Sequence, residues 1–301
     1  MTILVAATLD AAEWSLWWPL LQAALPDERL VRERSDADAA SIDIALVANP
    51  PLGALQGLSN LKLIQSLWVG VDKLLADPSV PADVPLARMV DPAMNDAMAE
   101  TALWAVLGLH RGYFDYAEQQ RVGVWQQNAL RRADEVTVAI LGMGEMGRRC
   151  ARALTQQGYL VAGWHRADGA SALPPLLARA DIVLNLLPLT PETRGLFDAT
   201  TLAQMRRGAS LVNLARGAHV VDADLIAALA SGQIARAVLD VFETEPLPAA
   251  HPYWAHPQVT VLPHIAAPTD PRSATPIAAA NVRALRDGQP LANLVDRTRG
   301  Y

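Results

Sequence analysis

Three glycines in Gly142-Met143-Gly144-Glu145-Met146-Gly147 follow the apolar run Val136–Leu141 and open the helical stretch Arg148–Gln157. In a strand-turn-helix unit each has its use. Gly142 permits the tight turn, Gly144 lets the backbone approach a pyrophosphate, and Gly147 lets helix and strand pack closely. Phosphate oxygens would then meet the open N–H groups of the helix N-terminus. Glycine turns between strand and helix also occur without a ligand, so the context carries the reading of a dinucleotide site. The next strand, Tyr159–Trp164, ends in His165-Arg166, with no acid before Asp168. A carboxylate there would bond a ribose 2′-hydroxyl, whereas Arg166 suits a 2′-phosphate. NADP(H) is therefore the expected cofactor, with NAD(H) still allowed, and the other reading of Arg166 is a solvated strand end.

Three further polar residues sit at or just beyond the ends of predicted parallel strands. Arg216 follows Ala209–Ala215, Glu245 lies in Arg236–Pro246, and His264 follows Val259–Leu262. Ligands bind at that edge of an open α/β sheet, so these side chains should converge near a nicotinamide. Singly they mean less: a surface arginine, a turn carboxylate, a core histidine. Their joint occurrence with the glycine motif is what points to a site. The other histidines, His110, His165, His219, His251 and His256, show no ligand spacing, and no metal site is expected. Cys150, the only cysteine, lies on the helix after Gly147 and reads as a small buried residue rather than a reactive thiol.

The elements that must position these residues alternate along the chain. Strand-like runs at Thr2–Thr8, Ile42–Ala48, Leu61–Trp68 and Leu86–Val90 precede a long helical stretch over Met94–Tyr116 and a polar segment, Ala117–Asp134, read as a loop. From Val136 strands and helices alternate strictly, which implies parallel strands joined by crossovers. Eight of the 21 prolines fall in Pro246–Pro276, marking an irregular segment. A length of 301 residues suggests two domains, and 51% hydrophobic residues suffice for sizeable cores. The formal charge of −6 gives no reason to expect nucleic acid. No apolar run is long enough for a membrane helix, and Met1 to Glu13 lacks the basic residues of a secretory leader. A cytoplasmic protein is expected.

The sequence resembles the D-isomer-specific 2-hydroxyacid dehydrogenases, and within them the glyoxylate/hydroxypyruvate reductase A type. Beside the motifs above, the resemblance rests on Val69-Gly70-Val71-Asp72, Met98-Ala99-Glu100, Leu187-Pro188-Leu189-Thr190-Pro191-Glu192-Thr193 and Val295–Tyr301. It implies an α/β fold of two doubly wound parallel-sheet domains, a Rossmann-type cofactor domain (101–271) inserted in a flavodoxin-like substrate domain (1–100 and 272–301). Hinges would lie near Glu100 and Pro271, with closure excluding water. The resemblance also implies roles: Arg216 binding the substrate carboxylate and ketone oxygen, His264 as general acid, and Glu245 pairing with His264. Trp68 and the amides of Val69 and Gly70 would face the substrate. Besides the glycine loop, His165 and Arg166, the cofactor would meet Leu187, Pro188, Thr193, Leu214, Ala215, Arg216, Asp240, His264 and Ala266. A homodimer through the cofactor domain completes the expectation.

The chain departs from the family at Trp68, where a small residue is common. That tryptophan either narrows the pocket or belongs to the core. Trp125, in the polar segment, would help close the cleft, and Trp14, Trp17 and Trp18 read as helix packing. The expected reaction is NAD(P)H-dependent reduction of a small 2-keto acid to the D-2-hydroxy acid. The alternatives are an NAD-linked dehydrogenase of other specificity and a non-catalytic nucleotide sensor.

Overall fold

The computed structural model describes Met1–Gly300; Tyr301, which ends the terminal motif, lies outside the described residues. In chain order the elements are β1 (Thr2–Ala7), α1 (Ala11–Ala24), β2 (Arg29–Val31), β3 (Ile42–Ala48), β4 (Leu63–Ser66), α2 (Asp72–Ala76), β5 (Leu86–Ala87), α3 (Pro92–His110) and α4 (Tyr113–Arg121). There follow β6 (Thr137–Leu141), α5 (Glu145–Gln156), β7 (Leu160–Trp164), α6 (Leu173–Arg179), β8 (Ile182–Asn185), α7 (Ala199–Gln204), β9 (Ala209–Asn213), α8 (Asp222–Ala230), β10 (Ile234–Leu239), β11 (Val259–Val261) and α9 (Pro271–Arg286).

The chain divides into two compact units, Met1–Met94 with the segment from Thr269 onward, and Asn95–Pro268. The sequence reading drew these lines at 100/101 and 271/272; the structure draws the first within the opening turn of α3 and the second just before α9. The first unit holds a five-stranded sheet of order β2-β1-β3-β4-β5, all parallel, the flavodoxin-like order. Every residue of β3 is buried, as a strand covered on both faces requires. The C-terminal segment returns to this unit through α9, whose Arg286 binds Glu28 at 2.6 Å and also Asp43, and through Leu294, which bridges to Ala87.

The second unit holds a six-stranded parallel sheet of order β11-β10-β9-β8-β6-β7. Its strands alternate faces. Ala139 and Leu141 join one core with Val183 and Leu211, whereas Val138 and Ile140 join the other with Ile182 and Val212. Strand order reverses between β7 and β8 on either side of β6, so the switch point lies at the glycine turn. Short 3-10 turns at Arg166–Asp168 and Ala170–Ala172 lead from β7 back to α6, and β7 is the edge strand of the sheet among the described residues.

Sequence and structure differ most at Tyr113–Arg121, expected partly as loop and found as α4. This helix buries no residue fully, so it carries little apolar periodicity. Gly112, left-handed at φ 69°, separates it from α3, and Glu118 pairs with Arg121 at 2.8 Å. Its Phe114 leans on α3 at Gly108, where a Cβ would come within 2.6 Å of the ring. The short elements β2 and α2 also went unread, because three and five residues carry no legible period. No helix among the described residues is long and apolar enough to cross a membrane.

Candidate active site

The glycine loop shows which of its residues the protein needs for itself. Gly142 takes φ 103°, and a Cβ on it would stand 2.7 Å from the Leu186 carbonyl oxygen. At Gly147 a Cβ would come within 2.0 Å of the Gly142 carbonyl oxygen, so only glycine lets α5 pack there. Gly144 differs: it caps α5 from an extended backbone, and a Cβ would meet nothing within 4 Å. The fold tolerates a side chain at Gly144, but a pyrophosphate resting on the helix N-terminus would not. The loop therefore fits a dinucleotide. Met143 lies over Gly163 of β7, where a Cβ would reach 2.5 Å from its Cγ. Glu145 starts the helix and pairs with Arg148, and Met146 packs against the core. Cys150 is wholly buried, and burial pushes its thiol up to about 12, so it is inert.

At the end of β7 the backbone folds into a tight turn. The His165 N–H donates to Asp168 at 2.7 Å, and the Ala167 N–H donates to His165 Nδ1 at 3.1 Å. Asp168, the first acid after the strand, is thus engaged within the turn. Arg166 stands half exposed beside Glu192, 3.5 Å away. Glu192 belongs to the loop after β8, where Thr193 Oγ1 donates to the Pro188 carbonyl at 2.8 Å and the Leu187 N–H donates to Asn185 at 3.2 Å.

The strands β8 and β9 both end on a buried asparagine, and these two side chains brace the neighbouring turns. Asn185 Nδ2 donates to Asn213 Oδ1 and to His219 Nδ1, each at 3.0 Å, while His219 Nε2 faces the Pro188 carbonyl at 3.3 Å. Asn213 also donates to the Arg216 carbonyl at 2.9 Å and accepts from the Ala215 N–H at 3.3 Å. The Leu214 N–H donates to the Asn185 carbonyl. Gly217 then seats this turn on the next loop, where a Cβ would stand 1.8 Å from the Phe242 carbonyl carbon. Sequence reading did not assign Asn185, Asn213 or His219, although an asparagine closing each of two apolar strands is a legible signal.

Beyond β10 and β11 the side chains are tied together. Asp240 is 1% exposed, and its carboxylate accepts from the N–H groups of Ile265 at 2.7 Å and Ala266 at 3.0 Å. Its carbonyl accepts from the His264 N–H at 2.9 Å. Burial raises the Asp240 carboxyl above its usual range, while the two amides and His264 pull the other way. The His264 backbone is left-handed, at φ 55°. Glu245 accepts from the Phe242 N–H at 2.9 Å through one oxygen and meets His264 Nδ1 at 2.8 Å through the other. An ionised Glu245 therefore keeps a proton on Nδ1 and leaves Nε2 as the atom that can give or take one.

His264 and Glu245 thus form a pair able to hold and pass a proton at the strand ends. The model for "D-isomer specific 2-hydroxyacid dehydrogenase, NAD binding domain" matches residues 103–266. The chain belongs to the D-isomer-specific 2-hydroxyacid dehydrogenase family. By family it is an NAD(P)-dependent oxidoreductase acting on small hydroxy or keto acids. It is 38% identical to a glyoxylate/hydroxypyruvate reductase A of Yersinia enterocolitica and 41% identical to one of Serratia proteamaculans, in both cases over 95% of this chain and 96% of the relative. Among solved structures, a D-isomer-specific 2-hydroxyacid dehydrogenase of Xanthobacter autotrophicus Py2 in complex with NADPH matches at 41% identity and TM-score 0.93, over 100% of this chain and 99% of that one. An NADPH-dependent glyoxylate/hydroxypyruvate reductase of Sinorhizobium meliloti in complex with NADP matches at 32% identity and TM-score 0.92, with the same coverage.

Trp68, Val69 and Gly70, which the family resemblance also assigns to the substrate, lie in the first unit, on the loop from β4 to α2. Trp68 is half-buried there, its ring edge-on to buried Trp17 at 5.5 Å, so it is packed by α1 while keeping an open side. Trp14 and Trp18 meet at 6.0 Å, with Arg32 lying 3.9 Å over Trp14. Trp125 is 96% exposed.

The glycine loop gives a paired prediction. Gly144→Ala should leave the thermal midpoint unchanged yet weaken NADPH binding at least tenfold in a fluorescence titration, whereas Gly147→Ala should fail to fold stably. Equal NADPH affinity in folded Gly144→Ala and wild type would remove the pyrophosphate from this loop.

Proposed function

We propose that the chain reduces a small 2-keto acid of the glyoxylate/hydroxypyruvate class to the D-2-hydroxy acid, with NADPH as the preferred reductant and NADH accepted. The observation that carries this reading is the His264–Glu245 pair, 2.8 Å apart, on a turn that Asp240 fixes beside the Arg216 turn. The bound nicotinamide would supply the hydride. His264 Nε2 gives the carbonyl oxygen its proton, and Glu245, bonded to Nδ1, fixes the ring's orientation. Arg216 offers a planar donor fork to the carboxylate and ketone oxygen. In the first unit, the amides of Val69 and Gly70 are the proposed substrate-binding groups, and Trp68, held by Trp17, limits the size of the substrate's substituent.

For the cofactor, Gly142, Met143, Gly144, Glu145, Met146 and Gly147 receive the pyrophosphate, and His165 and Arg166 receive the adenosine end. Leu187, Pro188, Thr193, Leu214, Ala215, Asp240 and Ala266 border the rest. The NADPH and NADP in the Xanthobacter and Sinorhizobium structures, and the names of the Yersinia and Serratia relatives, support both the cofactor and the substrate class. The reading includes a cytoplasmic homodimer through the cofactor domain. Its support is the exposed apolar surface of Trp104, Tyr113, Val122, Val124, Trp125 and Leu130. A single-chain mass in light scattering would remove that part.

The direct test is a matrix of NADPH and NADH against glyoxylate, hydroxypyruvate, pyruvate and a branched keto acid, followed at the nicotinamide absorbance. Turnover should be fastest with NADPH and glyoxylate or hydroxypyruvate, and slowest with the branched acid. His264→Ala should lower kcat by about 10²- to 10⁴-fold with NADPH binding retained. Near-normal turnover in that variant, or none in wild type on any acid, would sink the proposal.

A further inference from the structure

The acids around Arg166 bear on how sharply the site distinguishes the two nicotinamide cofactors. Asp168, nearest in sequence, is engaged by the His165 N–H at 2.7 Å and closes the turn. The carboxylate placed on the guanidinium comes instead from the loop after β8: Glu192 Oε1 lies 3.5 Å from Arg166 Nη2. Its position is built. Glu192 Oε2 accepts from Thr190 Oγ1 at 2.8 Å, and the Thr190 N–H in turn donates to Thr193 Oγ1 at 2.8 Å. Thr190 is 6% exposed, so the hydroxyl that holds the carboxylate is anchored in the fold. That hydrogen bond, with Arg166 adding to it, lowers the Glu192 pKa and keeps the group ionised at neutral pH.

We infer that Glu192 is a cofactor-selectivity residue: its carboxylate competes for Arg166 with a phosphate on the adenosine ribose, so selectivity belongs to the Arg166–Glu192 pair rather than to Arg166 alone. This rests on the NADPH reading above. A dianionic phosphate offers the guanidinium a stronger partner than a carboxylate does, so NADPH is still preferred. It must nevertheless displace, or sit beside, a like charge. A ribose 2′-hydroxyl has no such conflict, because it can donate to the same carboxylate. Glu192 therefore weakens NADPH and spares NADH, which narrows the gap between them. Arg166 and Glu192 are 53% and 61% exposed, so solvent screens the pair and the effect is modest.

Binding, not turnover, tests this. Dissociation constants are measured on the full chain for NADPH, NADH, adenosine 2′,5′-bisphosphate and 5′-AMP, in wild type, Glu192→Gln, Arg166→Gln and the double variant. Glutamine keeps an acceptor for Thr190 and removes the charge. In Glu192→Gln, NADPH and the bisphosphate should bind about two- to fivefold tighter, with NADH and AMP no tighter than in wild type. In the Arg166→Gln background the same change should lose most of its effect. An unchanged NADPH-to-NADH ratio in Glu192→Gln, or equal tightening of all four ligands, would overturn the inference. A wild type that binds the two cofactors equally, with Arg166→Gln altering neither, would instead overturn the NADPH reading beneath it.

Discussion

Asp240 lies one residue past the end of β10, almost wholly buried, and three successive amides hang on it. Its carbonyl takes the N–H of His264, and its carboxylate takes those of Ile265 and Ala266. The clamp holds His264 in a left-handed backbone that an L-residue adopts at a cost of about 1–2 kcal/mol. In that arrangement the imidazole meets Glu245, whose second oxygen is pinned by the Phe242 N–H. Gly217, pressed on the Phe242–Glu243 backbone, brings the Arg216 turn against the same loop. A buried carboxylate is costly to desolvate; here the two amide hydrogen bonds offset that cost and order the turn that carries His264.

The sheet makes this convergence possible. Leu239 pairs with Val261 and Asn213 with Leu239, all in parallel, so β9, β10 and β11 release their chains at one edge. The glycine turn after β6 opens at that same edge, at the switch point. Asn185 and Asn213 close off the two strands between, and with His219 they satisfy one another inside the protein. Polar groups buried in this way fix the loops that carry Arg216, Pro188 and Thr193 without relying on solvent.

Much of this was legible in the residues. Glycine spacing, apolar runs of strand length and polar residues after each run mark the parallel sheet, the turn and the Arg216, Glu245 and His264 set. What escaped reading depends on distance in space. Glu192 is 26 positions from Arg166, and only the crossover after β8 brings its carboxylate to the guanidinium. The clamp role of Asp240 needs the left-handed turn after β11, which no local pattern announces. The helix α4 was hidden by its exposure, and the division at Met94 falls inside a continuous helix, where composition does not change.

The placement of His264 depends on Asp240. Asparagine in its place offers one acceptor oxygen and sets an amide donor against a backbone N–H. The decisive measurement is kcat for keto-acid reduction by Asp240→Asn, beside its circular dichroism spectrum and thermal midpoint. With the fold retained, kcat should fall by about a hundredfold, the loss expected when a catalytic group is displaced by about an ångström. Turnover within a few-fold of wild type in a folded Asp240→Asn would contradict it.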